Sequence, residues 1–355
     1  MLFPLIFGKL TLASLIIEFS LAGLLVIIFG TLVTKYGDII AESTGLGGTW
    51  IGITLLATIT SIPEITASVS SVTIFKEPSL GIGNLYGSCA FNLVILVILD
   101  LIQGSGSFTS EVKLSHILPA AQGIFLMCLG VIGIIACMVM PAHSRVISGL
   151  VAFTIFVAFL VGTRLVYRVE MSEIADGMEE DLSEHSEKVK HLYLKFTLYA
   201  IMIALAGCWL STVGEKLAKY PIKVGDETLI FGASFVGTIF VAIMTSMPEV
   251  VVSVSALRIG AIDMAVANVL GSNLFDTTII FFMQLFYWGN GVFTNADKTL
   301  LIPAIIAIIE TSILITGLIY RSRKSFLLMG FDNIVLLCFY LVGNWLFFKA
   351  TVQRI

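Results

Sequence analysis

Residues 52–64 read GITLLATITSIPE, and residues 237–249 read GTIFVAIMTSMPE, an alignment at an offset of 185. The match continues outside these words. GNLYGSCAFN at 83–92 aligns with ANVLGSNLFD at 267–276 at an offset of 184. Leu21, Ala22, Gly23 and Gly30 match Leu205, Ala206, Gly207 and Gly214, and Pro119-Ala120 matches Pro303-Ala304, all at 184. A repeat of this length constrains the fold more than any local feature, because each copy must adopt the same arrangement. The chain therefore divides into halves at about 1–168 and 192–355, with the TSIPE-bearing segment at 47–101 and its copy at 229–287.

Each half is built from apolar runs. The 355 residues are 57% hydrophobic and only 12% charged, about half the charge of a soluble domain. A membrane helix needs about 20 apolar residues. Ten runs meet that length: 11–34, 47–74, 80–101, 116–140, 146–167, 192–217, 229–257, 262–287, 299–320 and 326–349. Five spans per half is an odd number, so the second copy enters the membrane upside down. The expected fold is an all-α polytopic membrane protein, ten helices in two inverted-topology repeats. In such folds the binding site lies near the midplane at the repeat interface. With the N-terminus outside, 11 Lys and Arg fall on inner loops against 9 on outer ones, the sense of the positive-inside rule. The first run lacks a charged leader and a cleavage site, so it is expected to be a retained helix.

The repeated word is the unusual part. Proline has no N–H and clashes one turn back, so Pro63 and Pro248 should kink their helices and free the carbonyls of Ile59 and Met244. In lipid such carbonyls need protein, water or an ion as partner. Residues three and four apart share a helix face. Ala57, Thr60, Ser61, Glu64 and Ser68 form one stripe, and Ala242, Thr245, Ser246, Glu249 and Ser253 form its copy. In the following spans Asn84, Ser88 and Asn92 recur every fourth residue, as do Asn268, Ser272 and Asp276. Intramembrane acids are costly and mark ion paths. Hydroxyls, amides, carboxylates and carbonyls are hard oxygen donors suited to Ca²⁺ and Na⁺. No His or Met joins the stripes, which argues against zinc, copper and nickel. Thr60, Ser61, Thr245 and Ser246 have the alternative of bonding back to the preceding turn. Ser88 and Ser272 have that of permitting close helix packing.

Other polar features carry less. Glu18 and Glu310 lie in apolar runs but align with Met202 and Leu126, so neither joins the repeated site, and Asp100 is expected at the interface. The linker 169–191 holds eight acids without EF-hand spacing and is expected to be a solvated, partly helical cytoplasmic connection. Cys89, Cys128, Cys137, Cys208 and Cys338 show no metal spacing and read as small core residues. His116, His143, His185 and His191 fall at span ends or in loops, and the words of intramembrane hydrolases are absent.

The two words resemble those of the cation/Ca²⁺ exchanger superfamily, specifically the Na⁺/Ca²⁺ exchangers. These carry inverted alpha-repeats with T-S-x-P-E followed by G-S-N-x-x-N/D. Here the second motif is Gly87-Ser88-Cys89 with Asn92, and Gly271-Ser272-Asn273 with Asp276. The resemblance implies alternating access, with the first and sixth helices sliding against the rest. It implies a Ca²⁺ site at Glu64 and Glu249, helped by the carbonyls of Thr60 and Thr245. It implies Na⁺ sites at Ala57, Thr60, Ser61, Glu64 and Ser88, and at Ala242, Thr245, Ser246, Glu249 and Ser272, with Asn92 and Asp276 as the central polar pair. Three departures concern selectivity: Ile59 and Met244 stand where the family usually has glycine, Cys89 replaces an asparagine, and Asn92 faces an aspartate.

The expected function is a secondary antiporter, not an enzyme, that exchanges Na⁺ for Ca²⁺. It would have no cofactor, the lipid bilayer and its transported ions as partners, and no nucleic acid. The expected place is the plasma (cell inner) membrane. The alternative is a Ca²⁺/H⁺ or other cation/H⁺ antiporter on the same scaffold. Ca²⁺/H⁺ members tend to carry a glutamate soon after Gly-Asn, whereas Gly83-Asn84 is followed here by Leu85-Tyr86-Gly87. A passive channel is a third alternative, disfavoured by paired broken helices with central acids.

Overall fold

A computed structural model describes residues 12–44, 48–104, 108–177, 189–218, 223–224, 227–228, 233–287, 291–294, 296–321, 325–326 and 329–351. Eight of its helices are long and apolar enough to cross a membrane, and two bent helix pairs bring the spans to ten. In chain order they are α1 (Leu12–Thr44), α2 bent onto α3 (Thr49–Thr60 and Ile62–Thr73), α4 (Pro78–Gln103), α5 (Ile117–Val139) and α6 (Ser144–Gly177). The second half follows with α7 (Val189–Ala218), α8 bent onto α9 (Val236–Thr245 and Met247–Arg258), α10 (Ile262–Phe286), α11 (Leu301–Tyr320) and α12 (Phe331–Thr351). The described residues are helical as expected, apart from two-residue antiparallel ladders that join Lys223–Val224 to Glu227–Thr228 and Ser325–Phe326 to Met329–Gly330, and the short turns and loops between elements.

Helix limits follow local chemistry. Pro78 opens the first turn of α4, where a missing N–H breaks no bond. Gly260, at φ 85°, lets the chain leave α9 in a left-handed turn that side chains resist. α1 runs ten residues past the expected end of its span. α6 continues to Gly177, absorbing part of the expected linker, while residues 178–188, with five of the eight linker acids and His185, lie outside the described residues.

Burial ranks the helices from centre to rim. In α4 and α10, 78% and 67% of the most apolar window is buried, against 22% for α6 and 17% for α12. The two helices with the most polar words are thus the central pair, and lipid-facing helices surround them. Glycine permits the close approach. A Cβ on Gly271 of α10 would meet the Ile53 backbone of α2 at 2.7 Å, and one on Gly87 of α4 would strike the Thr238 carbonyl of α8. Backbones brought this close are how membrane helices gain packing without a hydrophobic driving force. Asp100, three residues from the end of α4, is fully buried, accepting from Gly330 N at 2.7 Å and Asn333 Nδ2 at 2.8 Å, and so fastens α4 to the start of α12.

Candidate ion-binding site

Both broken helices bend at the same word. α2 meets α3 at 44° and α8 meets α9 at 41°. The break falls on Ser61 (φ −83°, ψ 8°) and Ser246 (φ −83°, ψ 7°), two residues ahead of each proline. Pro63 and Pro248 therefore sit in the first turn of α3 and α9, a position suited to proline. Before each break the helix widens into a π-turn, at Gly52–Leu56 and Val236–Val241. π-turns of this kind gather at functional sites. Sequence reasoning missed them; Gly52 and Gly237, at the start of the first stretch and the second residue of the other, both at helix crossings, were the available signal.

The breaks turn both acidic stretches into the centre of the bundle. Ala57, Thr60, Ser61, Glu64, Ser88, Asn92, Ala242, Thr245, Ser246, Glu249, Ser272 and Asp276 are all fully buried. Hydrogen bonds cross between the repeats. Ser61 Oγ donates to Glu249 Oε1 at 3.3 Å, and Ser246 Oγ donates to Glu64 Oε1 at 3.2 Å. Ser272 Oγ also donates to Glu249 Oε1, at 3.4 Å. Ser88 Oγ reaches Thr245 Oγ1 at 3.4 Å, and Thr245 donates to Asn84 Oδ1 at 3.1 Å. Thr60 instead bonds back to Leu56 O at 3.0 Å, the local alternative for a helical threonine.

A second layer lies where α4 crosses α10. Asn92 Nδ2 donates to Asn273 Oδ1 at 3.0 Å and stands 3.5 Å from Asp276 Oδ2. Asn273 Nδ2 donates to the Cys89 carbonyl at 3.1 Å, and the Cys89 thiol faces the Asn273 carbonyl at 3.7 Å. Cys89 and Asn273 are repeat mates, and their reciprocal contacts mark the pseudo-two-fold axis. Asn273 was present in the motif but unassigned; its side-chain bond to Asn92 gives it a place at the site. Asn84 and Asn268 also have matching places, donating to Ser68 Oγ and Ser253 Oγ at 3.0 Å each.

Five buried oxygens here have no hydrogen-bond partner among the described residues: Glu64 Oε2, Glu249 Oε2, Asp276 Oδ1, Asn92 Oδ1 and Asn268 Oδ1. Buried polar atoms are normally satisfied, so orphaned acceptors grouped this way suit a cation. Among the described residues no three His, Cys, Asp or Glu side chains form a compact metal cluster. The converging donors are mixed carboxylate, hydroxyl and amide oxygens, the hard and adaptable set of a Ca²⁺ or Na⁺ site.

Among the described residues the two repeats pack differently beside the site. A cavity of about 190 Å³ beside α3 and α7 is lined by Pro63, Thr66, Ser70, Cys208 and Thr212 and reaches Asn84. On the other side α1 and α9 are bonded together: Thr34 Oγ1 donates to Val252 O at 3.3 Å, Ser255 Oγ to Thr31 Oγ1 at 3.3 Å, and Val251 packs on Gly30.

Residues 14–164 and 191–349 match the sodium/calcium exchanger protein family. The chain belongs to that family. An uncharacterized membrane protein of Methanocaldococcus jannaschii is 26% identical over 261 residues, 73% of this chain and 78% of that one. The sodium/calcium exchanger MaX1 of Methanosarcina acetivorans is 25% identical over 284 residues, 71% of this chain and 77% of that one. The solved sodium/calcium exchanger from Methanococcus jannaschii superposes with a TM-score of 0.66 at 19% identity, covering 94% of this chain and 98% of that one. These likenesses agree with the ten-span fold of two inverted repeats, and membership places this family member among multi-pass membrane transporters rather than enzymes.

Proposed function

We propose that the protein is a Na⁺-driven Ca²⁺ antiporter working by alternating access. One observation carries the reading. Each repeat's glutamate is held through one oxygen by the other repeat's serine, while its second oxygen stays unpartnered among the described residues. A carboxylate oriented this way keeps an acceptor for a cation. Glu64 and Glu249 would hold Ca²⁺ with Thr60 and Thr245. Na⁺ would use the same carboxylates with Ala57, Ser61 and Ser88 on one side, and Ala242, Ser246 and Ser272 on the other. Both ions then need the same oxygens and exclude each other, which is the requirement for exchange. Asn92 and Asp276 would set the charge that the site can carry.

In this reading the halves 1–168 and 192–355 are the two walls of the site, joined by a cytoplasmic linker within 169–191. The N-terminal end faces outside and the host is the plasma membrane. The second reading, a cation/H⁺ antiporter, is favoured by one feature: Ile59 and Met244 put bulk beside the Thr60 and Thr245 ligands. The test is Ca²⁺ flux in proteoliposomes under imposed Na⁺ or H⁺ gradients. Uptake driven by outward Na⁺ alone is expected; uptake driven only by the H⁺ gradient overturns Na⁺ coupling.

A further inference from the structure

Glu310 stands in the middle of α11, fully buried, with no repeat mate to share its chemistry. Neither of its carboxyl oxygens has a hydrogen-bond partner among the described residues. An ionised carboxylate in such a place, far from water, needs a cation against it. We infer that Glu310 is a second cation site, separate from the central cluster, and that its occupant is a proton.

The surroundings select the ion. α11 packs against α4, α5 and α12. The facing cluster is apolar: Ala90 of α4, Met127 of α5, and Ile306 and Ala307 of α11 itself. The titratable groups on that side are Cys89 of α4, in the same cluster, and Tyr340 of α12, within electrostatic reach of Glu310. Ca²⁺ takes 6–8 oxygens and the carboxyl with one phenol cannot approach that number. A proton needs one. It also leaves the packing undisturbed, so the site fills without a cavity. The cluster abuts Cys89 and Ala90, the stretch of α4 between Ser88 and Asn92.

Infrared difference spectra between wild type and Glu310→Gln test this without any transport assay, so they stand or fall apart from the exchange reading. At neutral pH the difference should contain a carboxylic-acid C=O stretch that shifts in D₂O and persists when Ca²⁺ is added. A carboxylate band in its place overturns the proposal, as does an acid band that never shifts in D₂O. An acid band abolished by Ca²⁺ overturns the separation from the central cluster. Calorimetric Ca²⁺ affinity of Glu310→Gln should stay within about twofold of wild type, the scatter expected for uncoupled sites. A larger loss in monodisperse protein overturns that separation too. Glu310→Asp, which keeps the carboxyl, should retain the acid band; its absence there in folded protein argues against a proton site at this position.

Discussion

Ser246 Oγ donates to Glu64 Oε1 at 3.2 Å, and its repeat mate Ser61 donates to Glu249 Oε1 at 3.3 Å. The bond joins α8–α9 to α3, so each half-site is oriented in part by the other repeat, and Glu249 has a second donor, Ser272, from its own. A hydrogen bond to a charged group contributes about 1.5–3 kcal/mol. Ser246→Ala and Ser61→Ala should therefore each weaken Ca²⁺ binding about tenfold or more. Ser272 still donates to Glu249 when Ser61 is removed, so the loss in Ser61→Ala should be the smaller of the two. Calorimetry on the detergent-solubilised protein measures both; parental affinity in Ser246→Ala contradicts the crossed arrangement.

The glutamates themselves should matter more. Glu64→Gln and Glu249→Gln keep shape and one acceptor oxygen but remove the charge that attracts a divalent ion. Each should nearly abolish Ca²⁺ flux in liposomes while the purified protein stays monodisperse. Near-normal flux in either variant removes that residue from the site.

Asn92 and Asp276 are repeat mates that differ in charge, joined across the central layer at 3.5 Å. Asn92→Asp adds a like charge where screening is weak, and the site should respond by taking up a further proton or Na⁺. The pH profile or Na⁺ dependence of exchange should shift more than stability does. Asp276→Asn should lower the positive charge that the site holds and cut Na⁺-coupled exchange. Rates against Na⁺ and pH, in matched liposomes, decide; curves superimposable on the parent exclude the pair from transport.

Much of this arrangement was legible in the order of residues. The repeated words located both bends, because proline and an acid are each costly in an apolar helix unless the helix breaks there. The odd span count gave the inversion. The bonds between repeats were not legible: nothing in the order of residues says that Ser61 serves Glu249 rather than Glu64. The π-turns stayed hidden because a widened turn has no composition of its own. The partners of Asp100 were hidden too, since a span end reads the same whether its carboxylate meets water or, as here, the Gly330 amide and Asn333. Glu310 could be found as an acid without a repeat mate, but only packing shows that both its oxygens lack a partner among the described residues.

Gly23 and Gly207 are repeat mates in unlike surroundings. A Cβ on Gly207 of α7 would meet Pro63 Cγ at 2.5 Å and Pro248 Cγ at 3.2 Å, whereas one on Gly23 of α1 would meet nothing within 4 Å. This asymmetry accompanies the cavity beside α3 and α7 and the bonded contacts between α1 and α9 among the described residues. If inverted repeats exchange conformations during transport, the two glycines exchange surroundings as well. Gly23→Ala would then fit the present state and clash in the opposite one. Overpacking costs about 1–3 kcal/mol, enough to shift a two-state population about fivefold to a hundredfold. Gly23→Ala should therefore slow exchange while thermal stability is unchanged or raised, and Gly207→Ala should lower the melting temperature of the present state. Paired measurements of melting temperature and Ca²⁺ flux test the exchange of roles. Parental flux in Gly23→Ala means that α1 never takes the place that α7 occupies here, and the swap is then wrong.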